Sequence, residues 1–211
     1  MIDLPKVYPI TDTEISGLSH AEQLARLTDG GATLIQLREK NLSPAQFFRE
    51  ATDAIQLARQ RGVRVIINDR VDIALTLRAD GVHIGQDDMP PEAARRLLGK
   101  EFIVGFSTHS LEQARQAVKL PVDYLAIGPI FSTKTKSDHE PTVGLAGLNA
   151  VRRAVGDFPI VAIGGITLAT APDVIDAGAS TVAMIGALLS PSDVTTKLVR
   201  DLLQTLDRHP K

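Results

Sequence analysis

The stretch Val63-Arg64-Val65-Ile66-Ile67-Asn68-Asp69 decides the fold. Apart from Arg64, its first five residues are all β-branched and apolar, so the run lacks the in–out alternation of a strand with one wet face. A strand that is apolar on both faces is covered on both, which is the habit of parallel sheets flanked by helices. Ile160-Val161-Ala162-Ile163 repeats the pattern. Working outward from these two, similar short runs occur at Val7–Thr11, Thr33–Leu37, Gly81–Ile84, Phe102–Phe106, Tyr124–Ile127 and Thr181–Ile185, giving eight candidate strands.

The segments between them read as helices. Ser19 precedes a helical run that stops at Gly30-Gly31, and Ser43-Pro44 opens one ending near Gly62. Asp88 ahead of Pro90-Pro91 is expected to start a third, Ser110 a fourth, and Thr167 a later one ending at Gly178. Strand and helix alternate throughout, and 211 residues over eight units leaves about 26 per unit. That suits a lean (β/α)8 TIM barrel, a fold whose range begins near ~200 residues. A doubly wound open sheet competes, but the first strand ends Ile10-Thr11-Asp12 without the glycine fingerprint of that fold. No composition break divides the chain, so residues 1–211 are read as one TIM-barrel domain.

Composition narrows the chemistry. There is no cysteine, which excludes disulfides, thiolate metal sites and cysteine nucleophiles and agrees with a reducing cytoplasm. With 23 basic and 25 acidic residues, 4% aromatics and no tryptophan, nucleic acid is a poor partner. Neither a secretory signal nor an apolar run of bilayer-spanning length is evident, so no membrane partner and a cytoplasmic location are expected.

In a barrel, polar residues at the C-terminal ends of strands face the active site. The second strand ends Gln36-Leu37-Arg38-Glu39-Lys40, and the two-residue period puts Gln36, Arg38 and Lys40 on one face. Two cations and an amide there suit a phosphate, although ion pairs with Asp12 or Glu39 would equally satisfy the charges. Asn68-Asp69 and His83-Ile84-Gly85-Gln86-Asp87-Asp88 deliver carboxylates to the same rim from neighbouring strands, as Mg²⁺ beside a phosphate requires. Asp88 could instead cap the following helix, leaving Asp87 as the ligand. His83 reads as a hydrogen-bonded core or rim residue ahead of a base or metal ligand. Ser107 stands at the mouth as a ligand contact, since no hydrolase elbow surrounds it. Gly164-Gly165 and Ile185-Gly186 follow the last two strands, where barrels hold a monophosphate. The polar stretch Ser132–Thr142 lies between these sites in chain order and could close over either.

Six strand-end strings occur in order: Tyr8-Pro9-Ile10-Thr11-Asp12, Gln36 to Lys40, Asn68-Asp69, His83 to Asp88, Gly128-Pro129-Ile130-Phe131 with Thr133 to Lys136, and Gly164-Gly165-Ile166. Together they closely resemble the thiamine-phosphate synthase family over nearly the whole chain. The resemblance implies an alkyl/aryl transferase that joins 4-amino-2-methyl-5-hydroxymethylpyrimidine diphosphate to 4-methyl-5-hydroxyethylthiazole phosphate, or its carboxylated form. It implies that Gln36, Leu37, Arg38, Glu39, Lys40, Asn68, Ser107 and Lys136 hold the pyrimidine diphosphate, with Arg38, Lys40 and Lys136 catalytic. Asp69 and Asp88 would bind Mg²⁺, and Thr133, Lys134, Thr135, Gly165, Ile185 and Gly186 the thiazole phosphate. Gly186 departs from the serine of many relatives, removing one hydroxyl contact. The partners are therefore small molecules, and a homo-oligomer is compatible with the sequence. A thiazole tautomerase and a non-catalytic thiazole or thiamine phosphate sensor are the alternatives, neither of which needs the diphosphate and metal residues.

Overall fold

The computed structural model describes residues 2–133, 141–189 and 194–208. Eight strands, β1 (Val7–Thr11), β2 (Leu34–Leu37), β3 (Arg64–Asn68), β4 (Gly81–Ile84), β5 (Ile103–Thr108), β6 (Tyr124–Ile127), β7 (Ile160–Ile163) and β8 (Thr181–Met184), close into a barrel in chain order. All neighbours are parallel, and β8 returns to β1 with Val7 opposite Val182 and Pro9 opposite Met184. That pairing rules out the open sheet. Around the barrel run α1 (Thr13–Ser16), α2 (His20–Asp29), α3 (Pro44–Arg61), α4 (Val71–Leu77), α5 (Pro91–Leu98), α6 (Leu111–Ala117), α7 (Gly144–Val155), α8 (Ala171–Asp176) and α9 (Val194–Asp207).

The double apolar character of the strands has the expected cause. In β3, Val65 and Ile67 pack outward into the layer beneath the helices, while Ile66 joins the interior of the barrel. In β7, Ile160 and Ala162 face out and Val161 faces in. The interior is filled by Tyr8, Ile10, Leu34, Tyr124 and Ala126 with these residues. Gly105 makes room for one of them, since a Cβ there would lie 2.0 Å from Cζ of Tyr124. The chain's only two tyrosines therefore sit inside the barrel.

Local capping explains where helices begin. Ser19 and Ser43 each accept from the backbone N–H three residues on, and Glu22 and Gln46 return the bond to the cap N–H, closing two capping boxes. Ser110 caps α6 through Gln113 N–H. Two expected starts are corrected. Asp88 does not cap α5, which begins at Pro91; its carboxylate folds back to accept Gly85 N–H at 2.7 Å. Thr167 opens a separate turn closed by Thr170, so α8 starts only at Ala171. Among the described residues no helix is long and apolar enough to cross a membrane.

Candidate active site at the mouth of the barrel

The C-terminal strand ends gather most of the polar residues singled out above. On β2 and its exit the two-residue alternation sorts them. Gln36 points into the barrel, where its amide donates to the Tyr8 hydroxyl at 3.1 Å. Arg38 reaches the Asp12 carboxylate at the end of β1, and Lys40 reaches Asp69 at 2.5 Å. Leu37 and Glu39 turn their side chains the other way. Leu37 is buried in the layer under the helices. Glu39 accepts from the Thr13 hydroxyl and from the Asn41 and Leu42 N–H groups, which hold its carboxyl below the usual carboxylate range against the opposing effect of its burial. Of the five residues Gln36 to Lys40, the odd-numbered two can therefore offer a mouth ligand only their main chain.

The basic groups meet carboxylates: Arg38 pairs with Asp12, as the ion-pair reading allowed, while Lys40 takes Asp69 and not Glu39. Asp12 is shared, because its other oxygen accepts from Glu14 and Ile15 N–H at the start of α1. Arg38 keeps further guanidinium N–H groups for a second anion, which its planar fork permits.

Asp69 and Asp88 are brought within hydrogen-bonding reach of one another. Burial pushes the Asp69 carboxyl up from the ordinary aspartate value; the Asp88 carboxylate pushes the same way, while Lys40 opposes both. Asp69 also adopts φ 61°, a left-handed conformation uncommon outside glycine, fixed by its N–H donating to the His83 carbonyl at 2.8 Å. Asp87 is exposed and takes no part in this pair. Two facing carboxylates could hold a hard divalent cation that completes its shell with phosphate oxygens and water. No group of three or more metal-ligating side chains occurs among the described residues, so the protein alone would not saturate such an ion.

Asn68 is 9% exposed at the end of β3, and its carboxamide has no hydrogen-bond partner among the described residues. Across the mouth, Ser107 is half-buried with its hydroxyl 2.9 Å from His83 Nε2. His83 Nδ1 lies 3.1 Å from the Tyr124 hydroxyl, and the two rings stack at 5.6 Å. His83 is thus the hydrogen-bonded rim residue expected. Tyr124 was missed, although it shares an inward parity with Ala126 that marks it as interior.

The glycine-lined side is built by backbone contact. Gly164 and Gly165 have φ 99° and 66°, and a Cβ at Gly165 would lie 2.6 Å from the Ser132 carbonyl oxygen. Phe131 N–H donates to the Gly164 carbonyl at 2.9 Å, so the exits of β6 and β7 are locked together, with the Phe131 and Ser132 carbonyls beside Gly165. Ile185 is buried, its carbonyl accepting from Leu188 and Leu189 N–H in a turn that leaves Gly186 exposed. Lys134, Thr135 and Lys136 lie outside the described residues.

A closed (β/α)8 barrel with cations, facing carboxylates and a glycine-lined loop on its C-terminal rim belongs to the class of barrel enzymes that act on phosphorylated small molecules. A family model described as thiamine monophosphate synthase matches residues 7–188. A thiamine-phosphate synthase of Chloroflexus aurantiacus is 49% identical over 191 residues, covering 90% of this chain and 88% of the relative. One from Methanocella arvoryzae is 45% identical, with 90% and 89% covered. A solved structure, the thiamine phosphate pyrophosphorylase of Pyrococcus furiosus, superposes with TM-score 0.88 at 33% identity, covering 98% of this chain and 97% of that one. A 3-hexulose-6-phosphate synthase, with TM-score 0.65 and 18% identity over 95% of this chain and 99% of that one, shares the fold alone. The chain belongs to the thiamine monophosphate synthase family.

Proposed function

We propose that this barrel is one functional unit that couples 4-amino-2-methyl-5-hydroxymethylpyrimidine diphosphate with 4-methyl-5-hydroxyethylthiazole phosphate, or with its carboxylated form and loss of CO2, to give thiamine phosphate and diphosphate. One observation carries the reading: Arg38, Lys40, Asp69 and Asp88 converge at the ends of neighbouring strands, a constellation suited to a metal-neutralised diphosphate. Family membership supports it over nearly the whole chain.

The C–O bond between the pyrimidine methylene and diphosphate breaks with its electron pair on the leaving oxygen. The thiazole nitrogen then supplies a pair to that carbon, and the new C–N bond carries a thiazolium charge. No protein nucleophile is needed, and with the non-carboxylated thiazole no net proton transfer, so the residues serve to bind, align and stabilise charge. Arg38 and Lys40 turn from Asp12 and Asp69 toward the diphosphate, and Lys136 adds a third cation. Gln36, Asn68 and Ser107 hold the pyrimidine half, with Leu37 and Glu39 contributing main chain. Thr133, Lys134, Thr135, Gly165, Ile185 and Gly186 hold the thiazole phosphate. Asp69 and Asp88 fit Mg²⁺, whose chemistry when bound is to offset negative charge on the departing oxygens.

The test incubates purified protein with both substrates and Mg²⁺, with and without chelator, following diphosphate and thiamine phosphate. Metal-dependent formation of both in equal amounts is expected. Isomerisation of thiazole phosphate alone, or binding without turnover, would overturn the reading.

A further inference from the structure

A line of hydrogen bonds, buried except at its half-buried Ser107 end, crosses the barrel interior from Gln36 on β2 to Ser107 on β5. The Gln36 amide nitrogen lies 3.1 Å from the Tyr8 hydroxyl, which lies 3.2 Å from that of Tyr124. Tyr124 in turn approaches His83 Nδ1 at 3.1 Å, and His83 Nε2 approaches Ser107 at 2.9 Å. The rings are clamped, Tyr8 edge-on to Tyr124 and Tyr124 stacked on His83. Tyr8 and Tyr124 are both essentially without solvent.

The protons along this line have one consistent order. An amide N–H can only donate, so the Tyr8 oxygen accepts from Gln36. The Tyr8 hydroxyl proton then has one acceptor among its polar neighbours, the Tyr124 oxygen. Tyr124 must pass its own proton to His83 Nδ1. Neutral His83 therefore carries its hydrogen on Nε2 and donates it to Ser107. That leaves the Ser107 hydrogen for an acceptor on the substrate side. Burial pushes both tyrosines far above the ordinary phenol range, so neither loses its proton at working pH.

We propose that Tyr8, Tyr124 and His83 are positioning residues that orient the Ser107 hydroxyl as a hydrogen-bond donor to the pyrimidine diphosphate. The proposal rests on Ser107 touching that substrate, and its experiments separate the two. Nitrogen-15 NMR of the ring nitrogens of His83 in the wild-type chain needs no substrate. A protonated Nε2 and an unprotonated Nδ1 are expected, and the opposite tautomer would overturn the proposal whatever the enzyme catalyses. In Tyr8→Phe the order loses its origin, so a mixture of His83 tautomers should appear. Its kcat should fall roughly 10-fold or more, a part of the ~100-fold that one lost active-site donor typically costs. The KM for the thiazole phosphate should not change. In a Ser107→Ala background Tyr8→Phe should cost nothing further. An equal loss in both backgrounds would reduce the tyrosines to packing and refute the proposal. If Tyr8→Phe does not fold, the wild-type spectrum and the same cycle with Tyr124→Phe decide.

Discussion

Replacing Gly105 with alanine adds one methyl group to the barrel interior, at a point where the structure leaves none. The new Cβ would lie 2.0 Å from Tyr124 Cζ, 2.3 Å from its hydroxyl oxygen and 2.5 Å from Cε2. Those atoms belong to a rigid ring held between Tyr8 and His83, so the collision cannot be relieved by swinging a flexible chain end. Overpacking of this kind costs about 1–3 kcal/mol. Displacing the ring also strains two hydrogen bonds, each worth roughly 0.5–1.5 kcal/mol. Against this stands the smaller entropy of an unfolded chain with alanine, about 0.4–1 kcal/mol in favour of the variant. The expected net loss is roughly 1–6 kcal/mol, a large share of the ~5–15 kcal/mol that holds a typical domain together. Urea denaturation should show a lower midpoint at unchanged slope. Because the clash is with one ring, Gly105→Ala with Tyr124→Leu should be less damaging than the two single losses added, by about 1 kcal/mol or more. Wild-type stability in Gly105→Ala, or strict additivity in the double variant, would refute the reasoning.

Arg38→Ala should lower kcat by about 100-fold, the order seen when one stabilising donor is lost. Stability should fall by only roughly 2 kcal/mol because Asp12 keeps its bonds from Glu14 and Ile15 N–H; near-normal turnover would remove Arg38 from the diphosphate site. Stability should also decline as pH falls below the ordinary histidine value, through His20. Burial holds that ring below 6.5 despite Glu39, so the unfolded chain takes up the proton first; the contribution is whole above 6.5 and lost on acidification toward the lower folded value. Denaturation midpoints at pH 8 and 5 check this, and His20→Gln should flatten the difference. Gly165→Ala should raise the KM for the thiazole phosphate, since φ 66° and the Ser132 carbonyl both oppose a side chain there; an unchanged KM would detach that loop from the phosphate.

The sequence made the barrel legible because its evidence is local. Val65-Ile66-Ile67 is apolar on both faces because the strand has cores on both sides, and Ser19 and Ser43 cap within one turn. Asp88 misled for a local reason as well. It has the right chemistry ahead of Pro90-Pro91, but its carboxylate accepts from Gly85 N–H and α5 starts without a side-chain cap. In the site, the cations of Arg38 and Lys40 were readable and Asp12 was named as a partner, but that Lys40 meets Asp69, 29 residues away, follows only when the strands close. The hydroxyl line was least visible of all: Tyr8 and Tyr124 are 116 residues apart, joined by a barrel interior that no spacing rule describes.

The backbone of Asp69 has a consequence for how such a protein would evolve in the laboratory. Among the described residues only Asp69 and Arg78 hold positive φ without being glycine, and Arg78 does so as a routine helix terminator. Asp69 does so at a strand exit, facing another carboxylate, where glycine or asparagine would relieve conformational or charge strain of the order of ~1 kcal/mol. Variants selected for heat resistance alone should therefore discard this aspartate early, and those selected for heat resistance and product together should not. The contrast would identify Asp69 as a site where durability has been given up for catalysis, without any knowledge of the reaction.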